Sequence, residues 1–237
     1  MSECVKMRLS FQKMGRGAFI VVEGIDRCGK TSQTIKLVES LRKKNIRVER
    51  MNFPDRTTQT GQVISHYLSD ETCKLNDETI HLLFSANRWE NIDRMKEKLS
   101  NGVSLIVDRY SYSGVAFSTA KGMSMKWCMQ PEIGLLKPDL VLFLHINPET
   151  QSSRLGFGNE RYENTKMQQT VSKIYDHFGK TEDNWKVISA NGSFEEVHAD
   201  LLSNIEEQIR NVVADNIPFK YFVDCGNVLN GCSNGHS

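Results

Sequence analysis

Short apolar runs alternate along the chain with longer segments in which apolar residues recur every three or four positions. The short runs stop abruptly at glycine or polar residues, which predicts buried strands, and the longer segments predict amphipathic helices. The predicted strands are residues 18–24, 46–53, 104–108, 139–146 and 185–189, and the predicted helices are residues 31–44, 78–99 and 194–213.

Strands that are apolar along their whole length are typical of a parallel sheet buried on both faces. Their alternation with helices predicts an α/β fold with three layers, in which helices cover a central five-stranded parallel sheet. Ligands of such folds bind beyond the carboxyl ends of the strands, so the residues that follow each strand are the candidates for chemistry.

Composition narrows the class of protein further. The 237 residues include 30 Lys and Arg against 29 Asp and Glu, and 39% of the chain is hydrophobic, as in ordinary globular domains. A net charge of +1 argues against a partner bound mainly by charge, such as nucleic acid. No apolar run is long enough to cross a bilayer, so we expect no membrane partner.

The cysteines and the chain ends suggest a location and a domain division. The 6 cysteines form neither CxxC pairs nor a zinc-binding spacing, which favours free thiols in a reducing compartment. We therefore expect a cytoplasmic protein and leave a nuclear or mitochondrial pool open. Residues 1–16 are predicted to be a flexible extension, with a short targeting arm as the alternative, residues 17–213 one domain, and residues 214–237 a tail.

The most specific motif follows the first predicted strand. Gly24-Ile-Asp-Arg-Cys-Gly29-Lys30-Thr31 fits the phosphate-loop pattern GxxxxGK[ST] between a strand and a helix. Glycines let backbone N–H groups surround phosphate oxygens, and the helix N-terminus adds partial positive charge. In this arrangement Lys30 would contact the β- and γ-phosphates and the Thr31 hydroxyl would hold Mg²⁺.

Two charged residues end the third predicted strand. Asp108 would face the same crevice and act on Mg²⁺ through water, or alternatively cap the next helix. Arg109 follows it, and its planar fork suits phosphate oxygens.

A phosphate loop alone does not name a reaction. The Asn-Lys-x-Asp element of guanine-binding switches is absent, and a kinase for a small anionic acceptor would need several arginines outside the loop. Candidates with that placement are Arg56, Arg88, Arg109, Arg154 and Arg161. Phe84 and Arg88 share one helix face at i, i+4, and this spacing leaves two possibilities open: contact with a nucleobase, or a core Phe84 beside an Arg88 paired with an acid such as Glu90.

Six segments in one order carry a family resemblance. EGIDRCGKTSQ, NFPDRTTQTG, HLLFSANRWE, VDRYSYSGVAFS, LLKPDLVLFL and GFGNERYEN resemble those of thymidylate kinases, closest to the eukaryotic and poxvirus type, from about Arg16 to Ile209. The resemblance implies a P-loop kinase fold with a lid at about residues 147–164, a homodimer, and the Mg²⁺-dependent reaction ATP + dTMP → ADP + dTDP in dTTP biosynthesis.

The resemblance also implies roles for individual residues. Phe84 would stack on thymine, and Arg88 would form a hydrogen bond with the thymine O4. Arg56 and Arg109 would hold the dTMP phosphate, and Tyr162 would lie where a ribose 2′-hydroxyl would go.

The implied catalytic residues are Asp26, Arg27, Lys30 and Arg109. Of these, Asp26 would orient the sugar 3′-hydroxyl and Arg27 would contact the transferred phosphoryl group. The implied ATP-binding residues are Gly24, Gly29, Lys30, Thr31, Ser32, Arg154 and Asn191. The implied dTMP-binding residues are Asp26, Phe53, Pro54, Arg56, Phe84, Arg88, Arg109, Ser113, Gly114, Phe117 and Tyr162. The implied Mg²⁺ residues are Thr31 and Asp108.

Two departures from the family pattern raise hypotheses. Cys28 replaces a small loop residue such as Ala and places a thiol near the N-terminus of a helix. One hypothesis is that oxidation of this thiol inactivates the enzyme, and the alternative is that Cys28 is a small packed side chain. Ser111-Tyr112 replaces Ala-Phe, and the added hydroxyls would tune tolerance for other nucleotides. The alternatives to dTMP kinase are a broader kinase that also accepts dUMP or dGMP, and a subunit that binds nucleotides without transfer.

Overall fold

The computed structural model describes residues 15–147, 161–162 and 165–224. Five parallel strands form the central sheet in the order β2-β3-β1-β5-β6, which confirms the predicted sheet. These strands are β1 (Phe19–Gly24), β2 (Val48–Asn52), β3 (Ser104–Asp108), β5 (Leu140–His145) and β6 (Trp185–Ser189). A separate antiparallel pair joins β4 (Leu136–Lys137) to β7 (Lys220–Tyr221).

The central strand is β1, which pairs with β3 on one side and β5 on the other. Val21 lies opposite Val107 in one neighbour and Val141 in the other, and all three are fully buried. The helices that flank the sheet in the described part of the chain are α1 (Lys30–Lys43), α2 (Gln59–Ser69), α3 (Asp77–Trp89), α4 (Ile92–Ser100), α5 (Ser111–Ala120), α6 (Met125–Met129), α7 (Thr165–Thr181) and α8 (Phe194–Ala214). No helix within these described ranges is both long and apolar enough to cross a membrane.

The predicted continuous helix over residues 78–99 is wrong, because the chain breaks between α3 and α4. The Asn91 side chain donates to the Asn87 carbonyl at 2.9 Å, while the Asn91 backbone N–H turns to the Arg88 carbonyl at 3.1 Å. A side-chain amide has therefore taken the acceptor that a continuing helix would use.

Helix α5 lacks the amphipathic pattern that reveals a surface helix. Its buried positions include Ser111, Tyr112 and Ser113 in succession, so it is enclosed on most sides. Such a helix cannot be recognised from a stripe of apolar residues.

The segment that follows α8 packs against the domain. Phe222 is buried, its backbone N–H donates to the Leu135 carbonyl at 3.0 Å, and its carbonyl accepts from Gly134 at 2.9 Å. At the other end, the buried Arg16 donates two hydrogen bonds to Asp139, at 2.8 Å from Nη1 and 2.6 Å from Nη2. Described residues both before and after the predicted domain of residues 17–213 therefore contact the core.

Candidate active site

The phosphate loop connects β1 to α1 and requires glycine at two positions. Gly24 has φ +153°, and a Cβ there would lie 2.6 Å from Cys28 Sγ and 2.9 Å from the Leu144 carbonyl. Gly29 has φ +101° at the start of α1. Only glycine adopts this backbone readily, which explains both glycines of the motif.

Lys30 lies inside the loop. Its side chain is 6% exposed, and Nζ donates to the Ile25 carbonyl at 2.7 Å. Its ammonium group is thus held inside the loop, whose backbone N–H groups suit phosphate oxygens.

Thr31 and Asp108 are brought together from two different elements. Thr31 Oγ1 donates to Asp108 Oδ2 at 2.7 Å, and Arg50 Nη2 donates to the same oxygen at 3.1 Å. Asp108 does not cap α5, whose N-cap residue is Tyr110 and has no side-chain cap bond. The alternative role predicted for Asp108 is therefore wrong.

The Thr31 hydroxyl and the Asp108 carboxylate are hard oxygen donors of the kind that Mg²⁺ prefers. No group of three or more His, Cys, Asp or Glu residues that could hold a metal ion occurs in the part of the chain that the structure describes. The fit of a cation here therefore rests on these two oxygen donors, which lie next to each other.

Arg109 connects the phosphate loop to α5. Its Nη1 donates to the Gly24 carbonyl at 2.9 Å and to Ser113 Oγ at 3.0 Å, and its Nη2 pairs with Asp26. The backbone of Arg109 is left-handed, with φ +65°.

Asp26 receives two further contacts from Gln168 on α7. Gln168 Nε2 donates to Asp26 Oδ2 at 2.6 Å, and the Asp26 backbone N–H donates to Gln168 Oε1 at 2.8 Å. Burial raises the pKa of Asp26, but the charges of Arg109 and Lys30 outweigh it and hold that pKa below its ordinary value. Asp26 is therefore ionised at neutral pH.

The buried carboxylate of Glu23 holds the backbone at the start of α5, close to Arg109. Glu23 accepts hydrogen bonds from the backbone N–H groups of Tyr110 at 2.9 Å and Ser113 at 3.2 Å, and from the Tyr175 hydroxyl at 3.2 Å. Burial raises the pKa of Glu23, although its hydrogen bonds and Arg109 act in the opposite direction. Glu23 and Gln168 were not predicted as site residues, yet both fix groups that contact the cleft.

A cleft of about 410 Å³ opens beyond the carboxyl ends of the strands. Most of the predicted site residues border it, namely Asp26, Thr31, Phe53, Pro54, Arg56, Phe84, Arg88, Asp108, Arg109, Ser113, Gly114, Phe117 and Tyr162. The cleft also has lining residues that were not predicted, namely Arg50, Asn52, Leu68, Tyr110 and Ser118.

Other predicted residues lie outside the lining of this cleft. Gly24, Arg27, Gly29 and Lys30 belong to the adjoining phosphate loop, and Ser32 is exposed in the first turn of α1. Asn191 follows β6, where its Oδ1 accepts from the Asn147 backbone N–H at 2.9 Å. Arg154 lies outside the described residues, as does the predicted lid except for residues 147, 161 and 162.

Phe84 and Arg88 both border the cleft, but the acid that pairs with Arg88 is Glu132 and not Glu90. Glu90 instead accepts from Asn87 Nδ2 at 2.7 Å and from Thr58 Oγ1 at 2.5 Å. The suggested partner was wrong because the acid comes from a segment distant in sequence.

Arg161 was counted among the candidate anion-binding arginines. Its guanidinium instead donates to three backbone carbonyls, those of Tyr67 at 2.9 Å, Asp70 at 2.7 Å and Cys73 at 2.9 Å. These bonds hold the end of α2 and occupy the side chain.

The two departures from the family pattern are packed away from the cleft lining. The Tyr112 hydroxyl donates to Glu182 Oε2 at 3.0 Å, and its ring packs against Trp185 at a centroid distance of 5.1 Å. A direct effect of the Tyr112 hydroxyl on nucleotide tolerance is therefore contradicted. Cys28 is 2% exposed, and it is a free thiol, as are Cys73 and Cys128.

Comparison with known proteins finds relatives that match most of this chain. The family model "Thymidylate kinase" matches residues 22–201. A thymidylate kinase of Danio rerio is 53% identical over 188 residues, covering 78% of this chain and 88% of that protein, and one of Homo sapiens is 48% identical over 197 residues, covering 82% and 92%. The solved thymidylate kinase structure of Candida albicans superposes with a TM-score of 0.78 at 32% identity, covering 88% of this chain and 99% of that one.

Proposed function

Because this chain belongs to the thymidylate kinase family, it is a kinase that phosphorylates dTMP with ATP, and we propose that the cleft beside the phosphate loop is where the transfer takes place. The observation that supports this location is the charge pattern of the cleft. Arg109, which contacts the phosphate loop, and Arg56 border it, and Phe84 borders it on the helix that also carries the buried pair of Arg88 with Glu132. A molecule with an anionic end and a flat uncharged end fits such a cleft.

At the anionic end, two phosphorylated molecules must approach despite their mutual repulsion. A phosphate oxygen of dTMP attacks the γ-phosphorus of ATP, the bond to the ADP oxygen breaks, and ADP leaves. The acceptor phosphate is already anionic, so a strong base is not needed. Lys30, Arg27 and Arg109 stabilise the charge that spreads over the transferred group, and fixed cations do this most effectively where charge develops.

At the other end, we assign Phe84 to stacking on the thymine ring and Arg88 to its O4. Tyr162 lies 5.6 Å from Phe117 between ring centroids and takes the position beside the sugar. Asp26 is ionised and is suited to accept a hydrogen bond from the sugar 3′-hydroxyl.

We assign Mg²⁺ to the Thr31 hydroxyl and, through water, to the Asp108 carboxylate. Bound there, the cation would neutralise part of the charge of the phosphates. Arg50 keeps the Asp108 carboxylate oriented toward Thr31 through its bond at 3.1 Å. Asn191 and Arg154 are assigned to the adenine end of ATP on the resemblance alone.

A panel of nucleoside monophosphates tests the reaction. With ATP and Mg²⁺, we expect coupled ADP release with dTMP and much slower release with dUMP and dGMP. Equal rates across the panel would instead identify a broader kinase. The absence of ADP release with every acceptor would identify a subunit that only binds nucleotides.

The free thiols support a cytoplasmic location, which fractionation of cells would test.

We also propose a homodimer that forms through α2 and α3. These helices pack together and leave large apolar side chains exposed, with Val63 and Leu82 both at 46% and Trp89 at 38%. Large apolar side chains exposed on neighbouring helices are typical of protein interfaces.

Charge introduced at this surface is expected to separate the subunits. Light scattering should give the wild type about twice the 27.0 kDa chain mass and the Leu82→Glu variant a single chain mass. Val213→Glu on α8 is the matched control, because Val213 is 47% exposed outside the α2–α3 surface. A Leu82→Glu variant that stays dimeric would contradict the proposed interface.

A further inference from the structure

The most deeply buried ion pair that borders the cleft joins Arg88 to Glu132. Arg88 Nε and Nη2 donate to the two Glu132 oxygens at 2.7 and 2.5 Å, and the side chains are 2% and 0% exposed. Such a two-point contact fixes the plane of the guanidinium as well as its position.

Glu132 is itself held rigidly. It ends a short 3₁₀ helix, Gln130–Glu132, whose Pro131 carbonyl accepts from Ser85 Oγ at 3.0 Å and from Trp89 Nε1 at 2.7 Å. Ser85 and Trp89 flank Arg88 on α3, so the helix that carries the arginine also anchors the segment that carries its partner.

The remaining donor edge of Arg88 is therefore placed by its surroundings. Gly114 of α5 lies against the guanidinium, since a Cβ there would be 2.8 Å from Nη2 and 3.0 Å from Nη1. Glu132 uses Nε and Nη2, and none of the described residues accepts a hydrogen bond from Nη1. Arg88 borders the cleft, so Nη1 is the donor left for a ligand there.

We infer that Glu132 is a positioning residue that sets base selectivity by fixing Arg88 so that its free N–H groups meet a carbonyl oxygen on the base. A guanidinium has donors only, so it matches the 4-carbonyl of thymine and opposes the 4-amino group of cytosine. The inference rests on the proposed contact between Arg88 and the base.

The charge of Glu132 has a second consequence. Burial raises its pKa, but Arg88 outweighs that effect and keeps the pKa below its ordinary value, so Glu132 is ionised. The pair is therefore neutral, whereas the Lys30 ammonium group in the phosphate loop donates to a backbone carbonyl and forms no ion pair with the described residues. A nucleotide bound with its phosphate toward Arg88 gains less from charge, which favours one orientation of dTMP.

Glu132→Gln tests the inference, because it keeps the shape of the side chain and replaces one acceptor oxygen by a donor. We expect the KM for dTMP to rise about 10- to 100-fold, as for a lost hydrogen bond to a charged group. The KM for ATP and kcat should stay within about 3-fold, and the preference for dTMP over dCMP should fall. Glu182→Gln is the control, because Glu182 pairs with Lys137 at 2.8 Å and does not line the cleft.

Two further variants keep the test decisive. Arg88→Met should raise the KM for dTMP, and the double variant Arg88→Met/Glu132→Leu, in which apolar residues replace the whole pair, should show no larger rise. An unchanged KM for dTMP in folded Glu132→Gln, with a raised KM in Arg88→Met, would overturn the role of Glu132 alone. Unchanged values in both would overturn the assignment of Arg88 to the base. A parallel change of kcat and both KM values, with a lower melting temperature, would show that Glu132 only stabilises the fold and would overturn the inference.

Discussion

Lys30→Ala is expected to lower kcat by about 10²- to 10³-fold while the protein stays folded. The ammonium group is held inside the phosphate loop by its bond to the Ile25 carbonyl at 2.7 Å, so it is in place before nucleotide binds. Such a fixed cation stabilises the transition state without reorganising at the moment of reaction. Loss of one hydrogen bond costs about 1 kcal/mol of stability, which is too little to unfold a domain of this size.

The measurement is kcat from coupled ADP release at saturating dTMP and ATP, with thermal unfolding followed in parallel. Lys36→Ala is the matched control, because Lys36 lies on the same helix and pairs with Glu195 at 2.5 Å on the protein surface. Turnover in Lys30→Ala within about 10-fold of the control would contradict the role of Lys30.

Features that depend on neighbouring residues could be predicted from the sequence. The strands at residues 104–108 and 185–189 have the predicted bounds, because an apolar run between polar residues has few alternatives to a buried strand. The phosphate loop is similarly local, since the positive φ angles of Gly24 and Gly29 are the reason for glycine at both positions.

Features that depend on distant partners could not be predicted in this way. Glu132 lies 44 residues from Arg88, and Gln168 lies 142 residues from Asp26, so no spacing relates them. One signal was present in the sequence: Glu23 is an acid within an otherwise apolar strand, and a buried acid requires partners. The break at Asn91 depended on a side-chain bond that helical periodicity does not reveal.

Arg109→Ala is expected to have the second large effect, a fall in kcat/KM for dTMP of about 10²- to 10³-fold. Arg109 combines two tasks, since it is assigned to the dTMP phosphate and it also pairs with Asp26. Removal of the guanidinium takes away the assigned contact with the dTMP phosphate and also the charge that most strongly lowers the pKa of Asp26, so that burial, which raises that pKa, is opposed less. Asp26 then binds a proton more readily, so the acidic limb of the rate profile should move to higher pH than in the wild type.

Arg109→Lys separates charge from geometry. Lysine keeps the positive charge but cannot form the planar fork, so we expect it to restore the pH profile more fully than kcat/KM. The left-handed backbone at residue 109, with φ +65°, does not affect the comparison. Arginine, lysine and alanine all carry a Cβ, so none of them relieves the strain as glycine would. Arg47→Ala is the control, since Arg47 donates to the Asn101 carbonyl at 2.7 Å on the surface. If Arg109→Ala kept the wild-type acidic limb, Asp26 would not depend on Arg109 for its ionisation, and the electrostatic account of the loop would fail even if dTMP still bound poorly.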